Sequence, residues 1–412
     1  MQNPSCNFCG RGQNSVKKLI SSPTCNCYIC DTCVEVCKSL LGTKISTTKS
    51  QLNVPLPQEI KTMLDSYIVG QDEAKIAISV AVYNHYKRLN YNNSAKHSVE
   101  LDKSNILLIG PTGVGKTLIA KSLARMLDVP FICADATTLT EAGYVGEDVD
   151  SVLNKLLEKA NGDLTRAEMG IVYIDEIDKI AKKLDVRNFT RDVSGEGVQQ
   201  SLLKILEGTT VNIATTMRKT PKNDEIMMNT NNILFICGGA FVNLDKIVLS
   251  RQKTKAVGFN SPPPKASANY SFLDKVQPND LIEFGLIPEF VGRLPIVIGL
   301  KPLDKKSLLN ILTRPKNNLV EQFKTIFSLD GVELEFSKSA LNHIATKAME
   351  LGLGARGLRT IMEESLLQTM YTYPTEKCLE KVIIDKECLI QKTPPQMLYK
   401  HKKQQNLHMS KN

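Results

Sequence analysis

No run of ~18 apolar residues occurs anywhere in the 412 positions, so a membrane-spanning helix is excluded. The N-terminal MQNPSCNFCG has neither a basic segment nor an apolar one behind it. A secretory leader is therefore not expected, and the expected compartment is the cytoplasm. No internal repeat is visible. Tryptophan is absent, and nothing about fold or function follows from that. A field of one charge sign is also missing. The formal net charge is +9, but the surplus is spread along the chain and part of it lies in the tail YKHKKQQNLHMSKN. It reads as a solvated surface more readily than as a nucleic-acid face. Hydrophobic residues make up 42% and charged residues 23%. These proportions are ordinary for a globular protein, and the length fits about two to four domains.

Cysteine is present but unevenly placed: of eleven, seven fall in the first 37 residues. In a cytosolic chain, clustered cysteines read as metal ligands before disulfides. Cys6-x₂-Cys9 and Cys30-x₂-Cys33 form two knuckles with twenty residues between them, and four thiolates close a tetrahedral Zn²⁺ site. A module of this size needs such a staple, because so short a chain buries too little core. Cys27 also makes a CxxC with Cys30, so an alternative register stays open, and Cys25 and Cys37 are extra. A zinc ribbon that binds DNA is disfavoured, since no basic helix or aromatic platform lies beside the knuckles.

After a polar, proline-containing linker (STTKSQLNVPLPQ), a helix is expected from near Pro57. A second follows, in which Ile76, Val80 and Tyr83 share one face, the mark of an amphipathic helix. From about residue 104 to 240, short apolar runs alternate with helical segments: 105–110, 130–135, 170–176 and 232–239. That rhythm predicts a parallel α/β sheet with helices on both faces. Residues 253–280 read as a long exposed loop. Residues 301–395 read as helices with short strands, a small α+β domain.

The expected strand at 105–110 runs into Gly110-Pro111-Thr112-Gly113-Val114-Gly115-Lys116-Thr117, a full G-x-x-x-x-G-K-[ST] that opens a helix. Glycines let backbone N–H groups converge on phosphate oxygens, and the helix N-terminus adds partial positive charge. Lys116 would reach the β- and γ-phosphates of ATP, and the Thr117 hydroxyl would ligate Mg²⁺. The strand IVYIDE ends in Asp175-Glu176. Asp175 is the candidate for holding Mg²⁺, and Glu176 for orienting or deprotonating the attacking water. Ile68-Val69, before Gly70-Gln71, reads either as a helix stop or as packing for the adenine. Arg293 in EFVGRLP and Arg356 in GLGARGLR offer guanidinium forks suited to a phosphoryl group, and equally suited to structural ion pairs.

GPTGVGKT, IVYIDEIDKI, GLIPEFVGRLP and GARGLR, in this order, resemble the AAA+ ATPases of the Clp/Hsp100 family, and within it the unfoldase subunit of the Clp protease. VSGEGVQQSLLKILEGT and YVGED sharpen the resemblance, which runs from Cys6 to about residue 390. It implies an α/β P-loop NTPase domain at 63–300 with a parallel sheet, and a small α+β C-terminal subdomain at 301–395. Around these it implies an N-terminal four-cysteine zinc-binding module at 1–45, a linker at 46–62 and a basic tail at 396–412. It favours Cys30 and Cys33 as the second knuckle, in a module that docks adaptors. It makes Arg293 a finger acting on ATP in a neighbouring subunit of a homohexamer, and Arg356 the arginine linking the small domain to nucleotide.

The same resemblance makes Tyr144 and Val145 a pore loop gripping a protein substrate, and Arg191 part of a second pore loop. Arg218 and Lys219 belong to a basic entrance loop, where the usual Arg-Lys-His reads Arg218-Lys219-Thr220. Val257-Gly258-Phe259 resembles the tripeptide that docks on a ClpP-type peptidase. No protease site is visible in the chain, so cleavage falls to that partner. The polar sensor residue such ATPases carry after NILFIC is not assignable, because Gly238-Gly239 stands there. The competing class is an AAA+ ATPase that remodels nucleic-acid complexes, which should carry a helix-turn-helix or a basic insertion.

Overall fold

The computed structural model describes residues 4–22, 27–42, 54–92, 99–140, 147–182, 195–214, 225–253, 270–376, 378–391 and 393–399. The chain divides into two compact units: Met1–Asn53 with Asn90–His97, and Val54–Leu89 with Ser98–Asn412. In the first, the antiparallel pair β1 (Leu19–Ser21) and β2 (Tyr28–Cys30) leads into α1 (Asp31–Gly42). Three-residue strands bury little, and the fully buried apolar side chains described here are Cys6 and Cys30.

The second unit opens with α2 (Pro57–Asp65) and α3 (Asp72–Asn92). Pro57 stands at the first turn of α2, where its missing N–H costs nothing, and the Glu59 carboxylate accepts from the Leu56 N–H at 2.8 Å. The helix packs against the P-loop helix described next, so it belongs to this unit and the linker reading for 46–62 runs too far. On α3 the face carrying Ile76, Val80 and Tyr83 is the outer one: Ile76 is 53% and Val80 43% exposed. The inner face carries Ala74, Ile78, Ala81, Val82, Tyr86 and Leu89.

The chain then alternates strand and helix. It runs through β3 (Ile106–Ile109), α4 (Lys116–Met126), β4 (Phe131–Asp135), the short pair β5 (Leu139–Thr140) and β6 (Glu147–Asp148), α5 (Val149–Lys159) and α6 (Leu164–Glu168). Next come β7 (Ile171–Asp175), α7 (Glu196–Glu207), the hairpin strands β8 (Thr210–Ala214) and β9 (Glu225–Asn229), and β10 (Leu234–Gly239). The large domain closes with α8 (Leu244–Lys253), α9 (Pro278–Phe284), α10 (Pro288–Gly292) and β11 (Ile296–Gly299). All pairings in the central sheet are parallel, in the order β11-β3-β10-β7-β4. Because its strands are covered on both faces, they read as unbroken apolar runs, as their sequences do. One face packs Leu107, Val172, Ile174 and Phe235 against α5, α7 and α10. Strand alternation turns Ile106, Leu108 and Tyr173 to the other face, where α4 lies.

Gln199, fully buried on α7, ties this domain together. Its amide donates to Ile180 O at 2.8 Å and accepts from the Ile287 N–H at 2.8 Å. One side chain thus joins the segment after β7 to the start of α10.

The small subdomain contains α11 (Lys305–Thr313), α12 (Leu319–Leu329), β12 (Glu333–Phe336), α13 (Lys338–Glu350), α14 (Gly354–Thr372), β13 (Leu379–Ile384), α15 (Lys386–Gln391) and β14 (Gln396–Tyr399). It has its own core, with Phe327 stacked on Tyr373 at 4.3 Å between ring centres. The tail reading from 396 begins too early, since β14 pairs antiparallel with β13. Among the described residues, no helix is long and apolar enough to cross a membrane.

Candidate active site and metal module

β3 and β7 end at the same edge of the sheet with β10 between them, and ligands of open α/β sheets bind at that edge. The turn after β3 needs its glycines. Gly113 sits at φ +80°, and a Cβ there would lie 2.6 Å from Leu353 O. Gly115, at φ +105°, caps α4 at its N-terminus. Helix α4 therefore begins with unpaired N–H groups facing the turn, a ready anion site.

Lys116 is buried, and its Nζ donates to Gly110 O at 2.7 Å and Pro111 O at 3.0 Å. The ammonium carries three donors, so one remains for a phosphate. Burial pushes its pKa down, the Arg356 charge adds to that, and Asp175, Asp178 and Glu176 oppose it. An anionic ligand would favour the charged form.

The Asp175 carboxylate is held from three sides. Thr117 Oγ1 donates to Oδ2 at 3.0 Å, Tyr173 OH to Oδ1 at 3.1 Å, and the Glu176 N–H to Oδ1 at 3.0 Å. With its hydrogen engaged this way, the Thr117 oxygen keeps its lone pairs for a cation. Glu176 adopts φ +56°, ψ +33°, a left-handed conformation that costs a non-glycine about 1–2 kcal/mol. Strain held at this position marks a residue whose direction matters.

These groups line one cavity of about 650 Å³, within the usual range for a small-molecule site. Thr112, Gly113, Gly115, Lys116 and Thr117 form one side, Asp175 and Glu176 another, and Arg356 on α14 closes it from the small subdomain. The Ala355 N–H donates to Gly113 O at 3.1 Å, so the P-loop and α14 are in direct contact. The donor set fits a nucleoside triphosphate with Mg²⁺: backbone N–H groups and Lys116 for phosphate, Thr117 and Asp175 for the cation.

Ile68, Val69 and Arg293 are placed elsewhere. Ile68 is buried in the core, and Val69 lines a separate cleft of about 430 Å³. Arg293 directs Nε and Nη2 to Glu207 Oε1 at 3.1 and 2.8 Å, away from this cavity. Tyr144, Val145, Arg191, Arg218, Lys219, Val257, Gly258 and Phe259 lie outside the described residues. Sequence reasoning did not find Tyr173, Glu207 or Asp178, whose carboxylate accepts from the Ala240 N–H at 3.1 Å. Glu207 and Asp178 act through partners distant in sequence, whereas Tyr173 bonds Asp175 two residues away but reads as one more apolar strand residue.

In the first unit, the sulfurs of Cys6, Cys9, Cys30 and Cys33 lie within 4.8 Å of one another, with Cys9 and Cys30 at 3.6 Å. A tetrahedron with zinc–sulfur bonds of ~2.3 Å has edges of about 3.8 Å, so the cage fits zinc. Cys27 is exposed and not part of the cage, which resolves the register. Burial pushes the Cys6 thiol up, but N–H groups of Cys9, Cys30 and Phe8 bring it down to about 6. Burial and then the neighbouring sulfurs push Cys33 up. Four thiolates this close would need a cation between them.

Residues 101–297 match the AAA domain (Cdc48 subfamily), residues 4–43 the ClpX C4-type zinc finger, and residues 303–384 the C-terminal, D2-small domain of ClpB protein. The chain is 49% identical over 389 residues to the "ATP-dependent Clp protease ATP-binding subunit ClpX" of Treponema denticola, covering 93% of each chain.

Two outcomes follow from these sites. Glu176→Gln keeps the shape but cannot accept a proton. ATP binding, read by titration calorimetry, should stay near wild type while hydrolysis falls by about 10²-fold or more; hydrolysis at wild-type rate contradicts the assignment. Removing zinc with a chelator should unfold residues 1–45, followed by loss of amide-exchange protection there, while the ATPase unit keeps its melting transition. Freshly purified protein without zinc contradicts the cage reading.

Proposed function

The chain belongs to the ClpX family of AAA ATPases, and on that premise we propose that it is an ATP-driven protein unfoldase and translocase. It recognises tagged proteins and threads them into a ClpP-type peptidase. The observation that carries this reading is the cavity where P-loop, acidic pair and small-subdomain arginine meet while the chain's own Arg293 stays outside. A finger that does not reach its own cavity suits a ring, in which each site receives the neighbour's guanidinium. We take that ring to be a homohexamer working in the cytoplasm.

ATP with Mg²⁺ supplies the phosphoryl group whose transfer releases energy. Lys116 and the P-loop amides would orient it, Asp175 and Thr117 would hold the cation, and Glu176 would take the proton of the attacking water. Arg356 reports the state of the site to the small subdomain. Ile68-Val69 stays the proposed adenine contact on the family resemblance alone, since Val69 lines a separate cleft.

The substrate loops are proposed from the family. Their flanks support it: β5 and β6 pair Leu139 with Glu147, and β8 and β9 pair Ala214 with Glu225. The described residues that flank 141–146 and 215–224 are therefore adjacent. Tyr144 and Val145 would grip the polypeptide, Arg191 would belong to a second pore loop, and Arg218 and Lys219 would attract acidic tails. The zinc module would receive adaptors and some substrates.

Docking to the peptidase is separable from the motor. Phe259→Ala removes an anchor whose burial is worth roughly 1.5–3 kcal/mol, repeated around the ring. Degradation of a tagged protein with ClpP should be lost while ATP turnover stays near wild type. Normal degradation contradicts the docking role, and loss of turnover makes the segment structural.

A further inference from the structure

The strand between the P-loop strand and the acidic strand ends without a polar side chain. β10 closes on Gly238-Gly239, followed by Ala240. Yet this strand end adjoins the cavity, whose lining includes Gly239 and Ala240. A site that handles a charged phosphoryl group needs fixed dipoles here, and β10 brings none from its own side chains.

The space beside Gly238 is not empty. A Cβ on Gly238 would lie 2.1 Å from the Tyr173 hydroxyl and 2.8 Å from its Cζ. Any other residue at 238 would collide with the phenol. Tyr173 comes from the neighbouring strand: β7 pairs with β10 with Ile236 opposite Tyr173 and Cys237 opposite Ile174. Its ring is fully buried, and its hydroxyl donates to Asp175 Oδ1 at 3.1 Å. Tyr173 and Asp175, two apart on a strand, share a face, so ring and carboxylate lie side by side.

We propose that Tyr173 is the positioning residue of the cation site, its phenol occupying the place that a polar side chain on β10 would fill. Gly238 is a glycine so that the phenol fits. With Tyr173 and the Glu176 N–H on Oδ1 and Thr117 on Oδ2, the Asp175 carboxylate cannot rotate about its Cβ–Cγ bond without losing a donor. Its fixed plane presents Asp175 and Thr117 together to Mg²⁺. The idea deepens the ATPase reading and rests on it.

Outer partners of metal ligands cost about 10–100-fold in metal affinity or activity when removed. Tyr173→Phe removes the hydroxyl and keeps the ring. The comparison is Tyr86→Phe, an equally buried tyrosine whose hydroxyl donates to Met169 O at 3.1 Å, on a backbone carbonyl rather than a carboxylate of the cavity. ADP binding by the full chain is titrated calorimetrically across Mg²⁺ concentrations, and melting temperature is taken without ligand. Tyr173→Phe should raise the Mg²⁺ concentration for half-maximal tightening of ADP binding by about 10-fold. ADP affinity without Mg²⁺ should be unchanged. In Tyr86→Phe both should match wild type, even where its melting temperature falls as far. A wild-type Mg²⁺ dependence in Tyr173→Phe overturns the proposal and leaves the ATPase reading standing. The same shift in both variants makes it a general effect of stability and also overturns it. A wild-type chain that binds no nucleotide defeats the ATPase reading, and this proposal with it.

Discussion

The P-loop of this protein is walled by another subdomain, and the rest of the machine depends on that contact. The Ala355 N–H donates to Gly113 O, and Gly113 lies so close to Leu353 O that only a residue without Cβ fits. The turn that cradles phosphate is thus also the seat of α14, the helix that carries Arg356. A second fastening lies at the domain junction, where the Gln71 amide donates to Lys301 O at 2.7 Å and accepts from the Lys301 N–H at 3.0 Å. The P-loop backbone and the start of α14 are therefore in direct contact. Interfaces packed this closely respond as rigid bodies rather than by soft deformation.

The acid side of the cavity obeys the same logic of shared supports. Asp175 is held by donors from α4 and from its own strand. Gln199 then links the segment after β7 to α10, next to Arg293. The Asn105 amide donates to Arg293 O at 2.9 Å and Leu206 O at 3.2 Å, so the backbone at Arg293 and the end of α7 share one buried side chain. Glu207, the last residue of α7, holds the guanidinium itself. Helix α7 begins right after the segment that contains Arg191. One short helix thus follows the proposed substrate loop in sequence and holds both the segment after β7, through Gln199, and Arg293, through Glu207.

Much of this was legible in the sequence, and the reasons are local. β3, β4, β7 and β10 fall within the apolar runs that announced them, because a strand buried on both faces has no alternative composition. The P-loop and the acidic pair were readable because phosphate and cation chemistry fix residue type at fixed spacing. The four zinc ligands followed from two knuckles, though Cys27 needed the folded cage to be set aside. What failed was non-local. α3 carries apolar residues on two faces, and periodicity finds a face without saying which side the core is on: Ile78, Val82 and Tyr86 won over Ile76 and Val80. β14 follows Pro394-Pro395 and reads as tail in the sequence, since pairing with β13 depends on a strand elsewhere in the chain. Tyr173 looks like one more apolar strand residue until Gly238 is brought beside its hydroxyl. Glu207 looks like an ordinary helix-end acid until α10 delivers Arg293 to it.

The central claim is that ATP hydrolysis in this cavity does mechanical work on a polypeptide. The most direct measurement is the fluorescence of a tagged fluorescent protein mixed with the full chain, without peptidase, under conditions that trap unfolded substrate. The account predicts that fluorescence falls with ATP and Mg²⁺ and holds with ADP or without nucleotide. Steady fluorescence while the same sample turns over ATP would contradict it.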